Sequence, residues 1–344
     1  MTSLPRDKEN AHEPELQSSI GAAGKKWFNL KPLSALKQAW YVLTQKMETV
    51  LIRKGGDVIE LHLDKLAEKS VWQLSENTAH YAVLSALVYH PITDNSSVPE
   101  GLYSRPIIDD VLSTWRFIPN DTLTLEPVVR SSGRIRISGL KYQFWYSEAR
   151  NEFIVVFRGT SGKLGDWWAN LRWFTRFIPG VDDHYDIVRQ GMQPLAEQIR
   201  QIYGPTICIS VAGHSLGGGL AQQAAYAASD VRNVYAFNST PVTGYFEVEK
   251  SRRLANANGL RIVRIFEHGE VLAFLRFATR KMYPLSVRNP EIHEMRFNLL
   301  TRKNLISEHS MKEFARFLYE RIHDRDSYPS GEQAADAKRP DRVV

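Results

Sequence analysis

One stretch of the chain, residues 206–229, joins three different sequence patterns without a break. An apolar run (TICISVAG, 206–213) leads into a serine flanked by glycines (GHSLGGG, 213–219), and an alanine-rich segment follows (LAQQAAYAAS, 220–229). A short apolar run that ends in glycine is typical of a buried β-strand, and the alanine-rich segment favours a helix. We therefore predict a buried strand, a sharp turn at Ser215 and a helix that packs closely on a sheet.

The serine in this turn has the surroundings that a nucleophile needs. Gly213, Ser215 and Gly217 fit the pattern G-x-S-x-G, which presents a serine hydroxyl when it connects a strand to a helix. The glycines let neighbouring backbones pass without Cβ collisions. The amides at the start of the helix place partial positive charge where an oxyanion would form. A serine that only completes a glycine-rich turn is the alternative, but it would need none of these features together, so we predict Ser215 as a catalytic nucleophile.

Apolar runs alternate with helical patterns along most of the chain. The segments KYQFWYSE (141–148) and NEFIVVFRGT (151–160) flank a short turn and indicate an antiparallel pair of strands. Further buried strands are predicted at 234–240 and 261–267, and helices at 75–90, 184–204 and 309–323. This alternation predicts an α/β fold with a central, mostly parallel sheet flanked by helices.

The composition suggests where this domain begins and ends. Polar segments at 1–30 and 326–344 are predicted to be disordered tails, with the α/β domain at 70–325. Between tail and domain, residues 31–69 are predicted to form an N-terminal helical extension. The prediction rests on apolar residues at helical spacing, namely Leu36, Trp40, Leu43, Met47 and Leu51. Because its polar face mixes acids and bases, we expect this helix to dock on the domain rather than to lie on a membrane.

Charge and cysteine content exclude several kinds of protein. The net charge of +6 is spread along the chain without a dense basic block, so no nucleic-acid partner is predicted. Cys208 is the single cysteine, which excludes an internal disulfide and a cysteine zinc site. No cofactor is predicted. Without a basic-then-apolar leader, the sequence predicts a protein that is cytoplasmic or exported without a cleaved signal peptide.

Five segments together resemble the class 3 lipase family of the α/β-hydrolases, which includes bacterial relatives. They occur in the family's order over roughly residues 150–320. The segments are VVFRGT (155–160), DWWANL (166–171), GHSLGGGLA (213–221), AFNSTPVTG (236–244) and HSM (309–311). The resemblance implies an α/β-hydrolase fold and a serine hydrolase that cleaves carboxylic esters of lipids, of lipase or phospholipase A type. An acyltransferase, a non-lipid esterase and an inactive binding protein on the same fold remain alternatives.

An oxyanion hole requires two hydrogen-bond donors beside the nucleophile. The residue after the nucleophile, Leu216, offers one backbone N–H. The resemblance implies that the second donor is Thr160, which follows the glycine of FRGT. A turn that Arg158 and Thr160 merely complete is the alternative reading of this segment.

The general base is expected to be a histidine that follows the serine in the chain. His268, His293 and His309 are the candidates. His309 precedes a helical pattern in which Ser310 and Glu313 match a capping box, and the resemblance implies a histidine in this HSM-like setting. We therefore predict His309 as the base, with His293 as the runner-up.

The acid of the triad is the point at which the chain departs from the family, which usually carries an aspartate after this strand. The only aspartate between Ser215 and His309 is Asp230, in a turn that leads from a helix to a strand. A glutamate can fix the imidazole as an aspartate does. We therefore predict Glu270, which aligns with the family's acid, and keep Glu267 as the alternative.

An aromatic segment between Thr160 and Ser215 gives an indication of the substrate. The resemblance implies that Trp167, Trp168 and Trp173 belong to a lid or to its hinge over an acyl pocket. Tryptophan and arginine side chains together suit a water–lipid boundary. A lipid or acyl-ester substrate and peripheral contact with a membrane surface are therefore predicted, although an ordinary buried aromatic cluster would give the same composition.

Overall fold

The computed structural model describes residues 46, 49–54, 57–62, 72–99, 101–125, 135–136, 139–159, 181–182, 184–269, 272, 276, 286–287, 289–298 and 310–320. The strands are β1 (Thr49–Lys54), β2 (Asp57–His62), β3 (Arg116–Ile118), β4 (Ile135–Arg136), β5 (Tyr142–Ser147), β6 (Glu152–Phe157), β7 (Val181–Asp182), β8 (Cys208–His214), β9 (Val231–Phe237), β10 (Arg261–Glu267), β11 (Ser286–Val287) and β12 (Glu291–Asn298). The helices are α1 (Trp72–Leu87), α2 (Arg105–Thr114), α3 (His184–Tyr203), α4 (Leu216–Ala227), α5 (Lys250–Asn256) and α6 (Met311–Leu318).

Ten of these strands form one mixed sheet. Its order is β2-β1-β12-β10-β9-β8-β6-β5-β3, and β11 pairs with β12. The five central strands β6, β8, β9, β10 and β12 are parallel, whereas antiparallel strands extend the sheet on both sides. The carboxyl ends of the five parallel strands therefore lie along one edge, which we call the carboxyl edge.

Helices cover both faces of the sheet, because the central strands are apolar on both faces. In β6, Ile154 and Val156 join the core beneath α1 and α6. Phe153, Val155 and Phe157 point to the opposite face and join the core beneath α3 and α4. Strands that are buried on both faces read as continuous apolar runs, which is why they could be recognised in the sequence. The predicted α/β-hydrolase class, with a mostly parallel centre and flanking helices, is confirmed.

The predicted helical extension is wrong for residues 49–54 and 57–62. These residues form the hairpin β1–β2, in which Lys54 pairs with Asp57 across the sequence Gly55-Gly56. The strands TVLIRK and DVIELH are rich in β-branched residues, and a two-residue glycine connection is typical of a hairpin. Pairing with β12 buries Val50 and Ile52, so the sheet overrides the helical spacing.

The start of the α/β domain, which was predicted at residue 70, lies earlier in the chain for the same reason. The hairpin belongs to the main sheet, and the compact unit of the chain begins at Lys46. Residues 1–45 and 321–344, which include both predicted tails and the start of the predicted extension, lie outside the described residues. No helix that the structure describes is both long and apolar enough to cross a membrane.

A buried polar cluster surrounds Glu152 at the amino-terminal ends of the parallel strands, opposite to the carboxyl edge. The carboxylate accepts hydrogen bonds from the hydroxyl of Tyr81, at 2.7 and 2.8 Å, and from the hydroxyl of Ser210. Tyr81 belongs to α1 and Ser210 to β8, so the cluster ties a helix to two strands. Burial raises the pKa of Glu152, although the two hydroxyl donors and the charge of Arg150 act in the opposite direction.

This raised pKa predicts a pH-dependent contribution to stability. The folded protein holds the proton of Glu152 more tightly than the unfolded chain, so the contribution is complete below the ordinary glutamate pKa of about 4.3. It is lost as the pH rises through the raised value. Glutamine does not titrate, so Glu152→Gln does not lose stability in this way as the pH rises. The Tm of the variant should therefore increase relative to the Tm of the wild type between acid and neutral pH. Thermal unfolding at several pH values measures the shift. The exposed Glu148→Gln is the matched control, and a Tm difference for Glu152→Gln that is constant with pH would contradict the prediction.

Candidate active site

Ser215 occupies the turn between β8 and α4 in a backbone conformation that is rare for serine. Its φ of 57° and ψ of −122° belong to a region that costs a residue with a side chain roughly 1–3 kcal/mol. Three hydrogen bonds hold this conformation. The N–H of Ser215 donates to the carbonyl of Phe237 at 3.0 Å, and its carbonyl accepts the N–H groups of Gly218 and Thr240, each at 3.1 Å. The predicted strand, turn and helix are therefore present.

The two glycines of the motif are required by close backbone contacts. A Cβ on Gly213 would lie 2.3 Å from the carbonyl oxygen of Gly217, and one on Gly217 would lie 2.1 Å from that of Phe157. Backbone atoms cannot move aside as the end of a side chain can. Glycine at both positions lets α4 begin directly against the ends of β6 and β8.

The turn after β6 packs against the nucleophile. A Cβ on Gly159 would lie 3.0 Å from the Cβ of Ser215 and 2.6 Å from the carbonyl oxygen of His214. Gly159 thus brings the end of β6 beside Ser215, where an oxyanion hole is predicted. Leu216 opens α4, and the first N–H groups of a helix have no acceptor within it. Thr160, the other predicted donor, lies outside the described residues.

Tyr89 connects this turn to the nucleophile motif. Its hydroxyl accepts the N–H of Gly159 at 3.1 Å and lies 2.8 Å from Nδ1 of His214. Since burial raises the pKa of Tyr89 well above its ordinary value, the phenol keeps its proton. The O–H can therefore donate a hydrogen bond to Nδ1 of His214. The sequence analysis missed Tyr89, because no local pattern links it to residues so distant in the chain.

Of the candidate bases, His309 lies outside the described residues. Ser310 caps α6, but its side chain makes no cap hydrogen bond. Glu313 is instead paired with Arg316 at 2.9 Å. The predicted capping box is therefore absent, because a guanidinium is a stronger partner for the carboxylate than a backbone amide.

The runner-up base, His293, is in the wrong place. It lies in β12, level with Val263 in β10, Tyr235 in β9 and Ala212 in β8. Strand geometry then separates it from Ser215 by three inter-strand spacings, about 14 Å, and by a further 10 Å or so along the strand direction. Its imidazole is buried and bound to Glu291 at 2.6 Å.

Of the two candidate acids, Glu267 ends β10 at the carboxyl edge and is almost completely buried. Its N–H donates to Oδ1 of Asn238 at 2.8 Å. Two inter-strand spacings, about 10 Å, separate β10 from β8, which leaves room for an imidazole between carboxylate and hydroxyl. Glu270 lies outside the described residues, so Glu267 stays the alternative.

Asn238 fixes the end of β9 between these two groups. It is fully buried and has a left-handed φ of 39°, which asparagine tolerates better than most residues. Its N–H donates to the carbonyl of Ile265 at 2.8 Å, while its side chain holds Glu267. An asparagine directly after an apolar strand was a signal for this role that the sequence analysis did not use.

The predicted lid residues Trp167, Trp168 and Trp173 lie outside the described residues. Among the residues that the structure does describe, no group of three or more histidine, cysteine, aspartate or glutamate side chains could hold a metal ion.

Comparison with solved structures finds fungal lipases. The chain of the native Rhizomucor miehei lipase propeptide complex is 17% identical with a TM-score of 0.38, and the match covers 65% of each chain, less than two thirds of the fungal protein. A lipase from Rhizopus microsporus var. chinensis is 15% identical, with 59% of this chain and 69% of that chain covered and a TM-score of 0.38. TM-scores this low carry no argument about the present fold. Comparison with curated proteins gives no match.

A family model gives the stronger result. The model of a Tle-like phospholipase domain, described as phospholipase-like, matches residues 80–284 of the 344 residues. The matched range contains Ser215 and both candidate acids. The predicted relation to lipases is confirmed at the level of the family. The chain belongs to the phospholipase-like family of Tle-like phospholipase domains.

Proposed function

We propose that this protein hydrolyses carboxylic esters of phospholipids through an acyl-enzyme on Ser215. The observation that carries the proposal is the strained backbone of Ser215, with φ 57° at the junction of β8 and α4. Strain of this kind persists only where the surroundings hold it in place, and it concentrates at functional sites. The match to the phospholipase-like family supports a phospholipid as the substrate.

The first step is attack of Oγ of Ser215 on the ester carbonyl carbon. The proton of the hydroxyl passes to the base, for which we propose His309, and the carbonyl oxygen becomes an oxyanion. The N–H groups of Leu216 and Thr160 are the proposed donors to this oxygen. Collapse of the intermediate breaks the bond to the alcohol oxygen, which takes the proton from the imidazole and leaves as the lysolipid.

The second step releases the fatty acid. A water molecule gives a proton to the same imidazole and attacks the acyl-enzyme. The second oxyanion then collapses, the bond between the acyl carbon and Oγ breaks, and Oγ takes the proton back from the imidazolium, which frees the carboxylic acid and restores Ser215. A carboxylate beside the imidazole stabilises its cationic form in both steps. We propose Glu270 for this role, with Glu267 as the alternative.

We also propose that the protein binds peripherally to lipid surfaces. The support is the net charge of +6 and the tryptophan- and arginine-rich segment 166–177. Each basic residue near an anionic surface contributes about 1 kcal/mol, and salt weakens this attraction.

Ser215→Ala should lower kcat for ester hydrolysis at least about a thousandfold, because members of a triad act as a unit. It should also abolish covalent labelling by a fluorophosphonate probe. Rates on a soluble short-chain ester and on phospholipid, together with mass spectrometry of the products, measure the effect. A Ser215→Ala protein with wild-type activity would refute the mechanism, and an unlabelled wild type that hydrolyses no ester would indicate an inactive binding protein.

The same assay tests the other triad members. His309→Ala should be as inactive as Ser215→Ala. Glu270→Gln should lower kcat by orders of magnitude and Glu267→Gln should have a mild effect. The reverse order would assign the acid to Glu267, and full activity in both variants would exclude a glutamate acid.

Tyr89→Phe should lower kcat by about tenfold or more, because it leaves the buried N–H of Gly159 and Nδ1 of His214 without the hydroxyl. The turn beside Ser215 then loses the bond that positions it. The control is Tyr203→Phe, on α3 away from the site, which should keep wild-type kcat. Equal kcat values for Tyr89→Phe and the wild type would show that the hydroxyl does not position the turn.

Binding to anionic liposomes should decrease from low to high salt, with a change in tryptophan fluorescence on contact. Trp167→Ala and Trp168→Ala should reduce activity on lipid assemblies far more than on a soluble ester. Co-sedimentation and the two activities measure this. Absence of binding at low salt, with equal activity on soluble and assembled esters, would reject the membrane proposal.

A further inference from the structure

Three nitrogen-bearing side chains come from different elements, and one of them, Arg158, lies in the turn that packs against Ser215. Arg158 follows β6 and directly precedes Gly159, whose backbone packs against the nucleophile. His90 lies just after the end of α1 and directly follows Tyr89 in the sequence. Lys312 lies in the first turn of α6. We call these residues the basic group.

Arg158 is held beside the nucleophile motif by an aromatic ring. Its guanidinium carbon lies 5.5 Å from the centroid of the Tyr89 ring, a cation–π distance. The hydroxyl of that ring binds the turn at Gly159 and His214. The charge of Arg158 is thus fixed to the same tyrosine that positions the end of β6 against Ser215.

Lys312 is exposed, but its backbone is fixed. Its carbonyl accepts the hydroxyl of Tyr103 at 3.3 Å, and its neighbours Met311 and Phe314 are buried in the core. Burial lowers the pKa of His90, and the positive charges of Lys312 and Arg158 lower it further. Both cations therefore act on this imidazole, which is a neutral hydrogen-bonding group at neutral pH.

The two cations have no acidic partner within the part of the chain that the structure describes. Among the described residues, neither Arg158 nor Lys312 forms an ion pair, and Glu313, which follows Lys312 in the sequence, is already paired with Arg316 at 2.9 Å. An unpaired cation such as Arg158 in the turn beside Ser215 favours an anionic ligand, because the substrate can supply the neutralising charge that the described residues do not. Arginine binds phosphate through two parallel hydrogen bonds, and lysine does so as a point charge.

We propose that Arg158, Lys312 and His90 form a phosphate-binding subsite for the phosphodiester of a phospholipid headgroup. The acyl ester of the same molecule would then lie at Ser215. This inference rests on the proposed function and gives it a physical basis for preferring phospholipids over neutral glycerides.

Two short-chain substrates with the same acyl esters test the subsite, namely dihexanoyl phosphatidylglycerol and dihexanoylglycerol. Arg158→Gln and Lys312→Gln should each lower the ratio of kcat/KM for the phospholipid to that for the neutral lipid by about tenfold, because each removes a charge-assisted bond. The matched controls are Arg232→Gln, on the opposite edge of the sheet, and Lys250→Gln, on α5. They should leave the ratio unchanged. An unchanged ratio in the Arg158 and Lys312 variants would overturn the proposal.

A binding measurement separates failure of the subsite from failure of the proposed reaction. Calorimetric titration of the Ser215→Ala protein with dihexanoyl phosphatidylglycerol needs no catalysis, and the added Arg158→Gln change should weaken binding about tenfold. Binding that is insensitive to Arg158 would refute the subsite even if the wild type is active. Inorganic phosphate is titrated in parallel, and tighter binding of inorganic phosphate than of the lipid would overturn the headgroup assignment.

Discussion

The strained turn at Ser215 depends on contact between backbones with no side chains between them. Gly213 and Gly217 let the end of β6 and the start of α4 approach so closely that a Cβ at either position would overlap a carbonyl group. Hydrogen bonds to Phe237 and Thr240 attach the same turn to the end of β9. The conformation of Ser215 is therefore set by two neighbouring strands. Any change that separates these strands would relax the turn and withdraw the hydroxyl from its position.

Two hydrogen bonds between different elements also position the backbone around this turn. Tyr89 links α1 to Gly159, and Asn238 links β9 to Glu267. Both residues act by positioning the backbone and not by touching a reacting atom. The hydroxyl of Tyr89 and the carboxamide of Asn238 thus position the ends of β6 and β10, as the glycines position the end of β8.

Part of this architecture could be predicted from the sequence. The strand, turn and helix around Ser215 are encoded locally, since buried parallel strands read as apolar runs and the turn requires glycine. The hairpin β1–β2 was missed, because Leu51 continues the helical spacing of the preceding apolar residues, and only pairing of β1 with β12 shows that it lies in a strand. Tyr89 was missed because its partners Gly159 and His214 are distant in the chain. The positions of Thr160, Glu270 and His309 stay predictions.

The pairing of β1 with β12 joins the two ends of the sheet-forming sequence, Thr49 with Asn298 and Lys54 with His293. During synthesis the hairpin is therefore complete long before its partner strand exists, and both β1 and β10 present open edges until the last strand is made. Contacts between residues so far apart form slowly, and open strand edges are prone to pair with other chains. Folding of this protein is thus favoured where the nascent hairpin is protected from other chains. A chain that stops before Glu291 would leave the edges of both β1 and β10 exposed.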